Sequence, residues 1–184
     1  MGGDDDDIDW SIISENLRGA QDYWYWRDKP IMERSAAQSV LALASIPIDG
    51  ICSRAVGQDP PDCEGYIDGS LCGVEVSELV HEKTLKSTIK GKPQYFIWNR
   101  QVFLDAVQAR ISRKDSKEDI KGGPYGRYIL ILLTDEMMLG RYDVERFLEG
   151  ASFGVQTITD VILALGYDPS IKACPVFSLA LVKS

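Results

Sequence analysis

The sequence predicts an α/β protein built on a single mixed β-sheet flanked by helices, and three observations carry that expectation. "RYILILLTD" (127–135) is a continuous apolar run, the pattern of a central strand buried on both faces. Asp68-Gly69 lies between two short runs of alternating or apolar character, a strong local signal for a two-residue type I′ hairpin. Between these lie segments of helical character, and alternation of the two kinds of element along one chain points to a sheet covered by helices.

In chain order, "GDDDDID" near the start and a short segment to residue 20 read as an acidic tail with a short helix over 9–20. One domain is expected over 21–184, beginning with the aromatic stretch "QDYWYWRDKP", which should pack against it. Asp28 and Pro30 supply a cap and an early-turn proline for a helix to about Ser45. On its wheel Ala36, Ala37, Val40, Leu41 and Ala44 form the apolar face, and Glu33 falls in the middle of it. "IPIDG" ends that helix, and 50–61 reads as a loop rich in Gly, Pro and Asp. The hairpin follows, then a polar and basic loop over 81–94 and a helix from about Tyr95 to Asp115. "KGGPYG" is a turn before the buried strand, and 141–150 is a short helix or turn. "DVILALGYD" and "CPVFSLALV" are two last strands, joined at Asp168-Pro169.

The hairpin register is the informative part. With Asp68 and Gly69 in the turn, Ile67 faces Ser70, Cys63 faces Val74 and Asp62 faces Glu75. Cys63, Ile67, Cys72, Val74 and Val76 then share a core face, and the two carboxylates meet on the other. Opposed carboxylates repel, and a raised pKa, a neighbouring Lys or Arg, or a bound divalent cation would relieve them. A solvated edge in which both acids simply sit in water satisfies the same pattern. Glu33, a carboxylate on a core-facing stripe, needs a partner or a wet pocket, unless it reaches outward from the first turn toward solvent.

Composition narrows the partners. The chain has 184 residues, 45% hydrophobic and 26% charged, ordinary for one soluble domain. No apolar run is long enough to span a membrane and no export signal is seen, so the expected location is cytoplasmic, with no membrane partner. Cys52, Cys63, Cys72 and Cys174 form no C-x-x-C pair and read as buried apolar residues in a reducing compartment. A single histidine, His81, excludes a multi-histidine metal site. The net charge of −8 disfavours non-specific nucleic-acid binding, although lysines and arginines cluster around 83–92 and 110–121.

A helix with an inward Glu, then "PD", a hairpin, "E-x-S", a second helix with a polar edge and a buried strand resemble the PD-(D/E)XK nuclease superfamily over about residues 30–134. "CGVEVSEL" and "YILILLTDE" are similar to bacterial branches of it. The resemblance implies a restriction-endonuclease-like core (α-β-β-α-β), here with an additional C-terminal strand pair. It places Asp62 at the PD position, Glu75 at the acidic position of the second motif and Glu33 at the acid of the first helix. It also implies Mg²⁺ or Mn²⁺ held by Asp62, Glu75 and the carbonyl of Val76, with Glu33 acting directly or through water. The chain departs from the family at the motif lysine, which is Ser77. Lys83, Lys86, Lys114 and Lys117 are the candidate substitutes, each also readable as a solvated surface lysine. Gln101 and Gln108 are candidates to contact the water or a phosphate, or form a polar helix edge.

The function implied is metal-dependent phosphodiester hydrolysis of nucleic acid, DNA ahead of RNA, in bacterial defence or DNA processing. The alternative is a nuclease fold that no longer cuts and acts as a binding, regulatory or immunity-type partner, with a protein or a second copy as its target. Ser77 and the acidic charge favour the alternative, and the retained acids favour the enzyme.

Overall fold

The computed structural model describes residues 28–55, 57–81, 84, 95–116 and 118–183. The readings of the acidic tail, the 9–20 helix and the aromatic stretch before Asp28 lie outside these residues, as does most of the 81–94 loop.

Helix α1 (Lys29–Leu43) starts where its cap signals place it, with Ile31 N–H donating to the Asp28 carboxylate at 3.3 Å. The chain then forms β1 (Asp49–Ser53), β2 (Cys63–Ile67) and β3 (Ser70–Glu78). Helix α2 (Arg100–Lys114), capped by Asn99 through Val102 N–H at 3.0 Å, leads to β4 (Arg127–Thr134). Helix α3 (Arg141–Leu148), β5 (Phe153–Val155), β6 (Asp160–Leu165), β7 (Val176–Ser178) and β8 (Leu181–Lys183) complete the fold. Among the described residues no helix is long and apolar enough to cross a membrane.

Among the described residues the main sheet has six strands in the order β1-β2-β3-β4-β6-β7. The first three are antiparallel, β3, β4 and β6 are parallel, and β7 returns antiparallel at the far edge. β5 and β8 form a separate parallel pair. The sheet has apolar clusters on both faces. α1 sets Ala37, Val40 and Leu41 against Cys63, Val74, Val76, Ile129, Ile131 and Ile162. On the other face Phe103, Val107 and Ile111 of α2 pack with Leu130, Leu132 and Leu163, joined by Phe147 of α3. Successive β4 residues therefore serve opposite clusters, which is why its sequence is an unbroken apolar run.

Three elements differ from expectation. The 50–61 loop begins with β1, whose pairing with β2 is interrupted by a register shift between Asp49 and Cys52. That irregularity, with Gly50 at φ 60°, hides the strand's alternation. The core is thus α-β-β-β-α-β rather than α-β-β-α-β. The second helix starts at Arg100, because Tyr95–Asn99 run into it without helical structure. The last strand region is no pair with 160–165 alone: it splits into β7, on the main sheet, and β8, on β5. Cys63 and Cys72 are buried as expected, but Cys52 is exposed on β1 and Cys174 is only half-buried.

Candidate functional site

Asp68 and Gly69 both take positive φ, 50° and 75°, as a type I′ turn requires. The ladder is in the expected register from Ile67↔Ser70 to Cys63↔Val74. It stops there: β2 has five residues and β3 nine, so the second half of β3 has β4 on one edge and no β2 on the other. Asp62 is therefore not a ladder partner of Glu75. Its carboxylate takes the next free backbone donor, Val76 N–H, at 2.8 Å. A backbone amide that has lost its strand partner needs an acceptor, and Asp62 supplies it.

This gap in the sheet is where the acids gather. Glu33, Asp62 and Glu75 are 6%, 8% and 2% exposed, unusual for carboxylates and a sign of paired or functional charge. Glu33 arrives on the buried stripe of α1, as its wheel position requires, and is paired with Lys29 at 2.8 Å. It lies within electrostatic reach of Asp62 and Glu75. Ser77 is buried one alternation beyond Glu75, on the same side of β3, and brings no charge. The charge comes from α2: Lys114 Nζ stands 2.5 Å from Glu75 Oε1.

Lys114 reaches the acid because it continues the helix's buried stripe, Phe103, Val107 and Ile111. Its position is fixed one residue later. The buried Asp115 carboxylate accepts the N–H groups of Gln156, Thr157 and Ile158, the latter two at 2.7 and 2.8 Å. Gln101 is elsewhere, exposed and bonded to Asp105 at 2.8 Å in the first turns of α2. Gln108 clamps β5, giving to Gly154 O at 3.0 Å and taking from Gly154 N at 2.9 Å. Neither glutamine joins the acids. Lys83, Lys86 and Lys117 lie outside the described residues.

Burial dominates the electrostatics. It raises Glu33 and Asp62 above their ordinary values, against the opposing pulls of Lys29 on the first and the Val76 N–H on the second. Glu75 is pushed up to about 7, first by burial and then by the nearby Asp62 charge, with Lys114 holding it down. Two residues that the sequence reading did not single out complete the surroundings. Lys29, whose charge reaches both Asp62 and Asp59, could have been found four residues before Glu33 on the same helix face. Tyr128, 2% exposed, feels Glu75 and Asp62, and its hydroxyl has no hydrogen-bond partner among the described residues.

Among the described residues no group of three or more His, Cys, Asp or Glu is arranged to hold a metal ion. The donor set does suit a hard cation held sparsely. It offers two buried carboxylates, and one oxygen, Glu75 Oε2, is buried without a partner among the described residues. No protein family, curated protein or solved structure matches this chain, so its functional reading rests on this geometry.

Proposed function

We propose that the chain is a divalent-metal-dependent phosphodiester hydrolase of PD-(D/E)XK type that acts on nucleic acid. One observation carries this reading: Lys114 meets Glu75 from the helix, beside Asp62, and so replaces the lysine that Ser77 lacks. Apart from the additional strand β1, the element order supports it too, with a helix, the β2–β3 hairpin, a helix and a strand parallel to β3.

Asp62, Glu75 and the Val76 carbonyl would hold Mg²⁺ or Mn²⁺, with Glu33 reaching it through water. When bound, the cation neutralises phosphate charge and makes a water nucleophilic. Asp62 keeps its orientation through Val76 N–H, and Glu33 through Lys29. Lys114 supplies a positive charge and hydrogen-bond donors beside the reacting phosphate, the role that serine cannot fill. Of the four substitutes that the sequence offered, Lys114 alone lies within the described residues, and its ion pair with Glu75 supports it in that role.

A second reading keeps one specific support. Lys29 and Lys114 already neutralise two of the three acids, an arrangement that is self-sufficient without metal. A fold of this kind would bind a partner and cut nothing.

Titration with Mn²⁺, alongside cleavage of single- and double-stranded DNA and RNA, separates the two. Weak Mn²⁺ binding that vanishes in Glu75→Ala is expected, together with metal-dependent cleavage. Lys114→Met should lower the cleavage rate by about a hundredfold or more while retaining metal binding. Absence of binding at millimolar Mn²⁺, with no cleavage of any substrate, would leave the non-catalytic reading.

A further inference from the structure

Tyr128 enters the sheet on β4 directly beside Gly73 of β3. A Cβ at Gly73 would stand 3.0 Å from Tyr128 Cδ2, 3.2 Å from its Cε2 and 3.0 Å from Pro61 Cγ. The ring therefore lies across the bare backbone of β3, beside Pro61, where any side chain at 73 would force the ring or Pro61 to give by a few tenths of an ångström. A phenylalanine would fill the same space without a polar atom. Instead a hydroxyl is buried there with no partner among the described residues, and the charge that it feels most is Glu75, then Asp62. Glu75 shows the complementary vacancy. Its Oε1 is held by Lys114, while Oε2 is buried without a donor. An unmatched donor and an unmatched acceptor thus lie on the same face of neighbouring strands, within electrostatic reach of each other, and each is costly to leave unpaired.

We propose that Tyr128 is a positioning residue of this site, its hydroxyl donating to Glu75 Oε2 directly or through one water. Glu75 is then held at both oxygens, by a lysine from α2 and a tyrosine from β4. Each carboxylate oxygen has two lone pairs, so Oε2 keeps capacity for a cation while it accepts this bond. The hydrogen bond itself is independent of the metal-dependent reading, but its purpose, fixing Glu75 as a ligand, rests on that reading.

Two measurements test the two halves. In metal-free protein at alkaline pH, the infrared carboxylate band of Glu75 is assigned by its loss in Glu75→Gln. It should shift in Tyr128→Phe, and shift the opposite way when 3-fluorotyrosine, a stronger donor, is placed at position 128. The fluorinated protein keeps the hydroxyl and serves alone should the phenylalanine variant fail to fold. A band that moves in neither protein overturns the proposal. The second measurement is Mn²⁺ affinity, which should fall about tenfold or more in Tyr128→Phe, the usual effect of removing a ligand's supporting hydrogen bond. Its thermal stability should fall as well, because the buried Glu75 Oε2 loses its donor, whereas a merely structural tyrosine would lose stability with Mn²⁺ affinity unchanged. A shifted band with unchanged Mn²⁺ affinity overturns the positioning role. Wild-type protein that binds no Mn²⁺ refutes the metal-dependent reading, and with it the role in ligand fixing, while the infrared band still decides the hydrogen bond.

Discussion

Glu75 links the chemistry of the site to the stability of the fold. The unfolded chain releases its proton near the ordinary 4.5, whereas the folded protein holds it to about 7. Between those values the folded state binds more protons, so metal-free stability should fall as pH rises through this window and level off above it. Glu78, also pushed to about 7 by burial and by Asp135, acts in the same direction. Urea unfolding in a chelator from acid to alkaline pH should show this decline, and Glu75→Gln should flatten part of it while leaving the Glu78 share. Metal binding should show the opposite trend and strengthen with pH, because the cation requires the ionised carboxylate. At this scale the sequence was informative about the acids. Asp62, Glu75 and Glu33 could be located from a turn dipeptide and a helical wheel, because periodicity reports which way a side chain points. Lys114 was one of four equivalent candidates, since its distinguishing feature is a partner thirty-nine positions away in the chain. Tyr128 gave no local signal: within an apolar run, a buried tyrosine looks like any other core residue.

Helix α2 is an arm that ends at the site, and its end is fastened rather than free. Three successive backbone donors from 156–158 converge on the Asp115 carboxylate, just past Lys114. Asp115→Ala would leave those donors unmatched and should cost on the order of 3 kcal/mol, measured by urea unfolding. Asp115→Asn keeps one acceptor oxygen and should cost less. In either variant Lys114 should lose its fixed placement, so cleavage should drop more steeply than Mn²⁺ affinity. The helix itself was expected from about Tyr95 to Asp115, and its start was placed five residues early. Its true beginning is set by Asn99, whose side chain caps Val102 N–H.

For the whole molecule, the class and the central strand followed from composition and pattern, but the sheet order did not. β6 pairs parallel with β4 and extends the main sheet, with Arg127 and Asp160 joined by two hydrogen bonds at 3.0 and 2.6 Å where the pair begins. Nothing local in "DVILALGYD" specifies a parallel neighbour. That choice is made by burial on both faces, which needs α1 on one side and α2 with α3 on the other. β1 was missed for the converse reason: a short, irregular edge strand carries little alternation to detect. The gap between β2 and β3 likewise follows from unequal strand lengths and could not be drawn from the hairpin alone.

The Asp68-Gly69 turn also sets how the gene can change length without losing its product. Side chains on β3 alternate between the α1 cluster and the acidic gap, so one register decides both the core and the site. A single codon inserted between Gly69 and Ser70 that shifted β3 by one place would turn Glu75 into the α1 cluster and Val74 toward the gap. Folding and metal binding should fail together, in one step, as read by circular dichroism and Mn²⁺ titration. The same insertion at the exposed 169–172 turn, between β6 and β7, should leave both intact. Insertion scanning should therefore show a sharp intolerant segment at this hairpin, whose two arms must keep their parity while the outer loops drift.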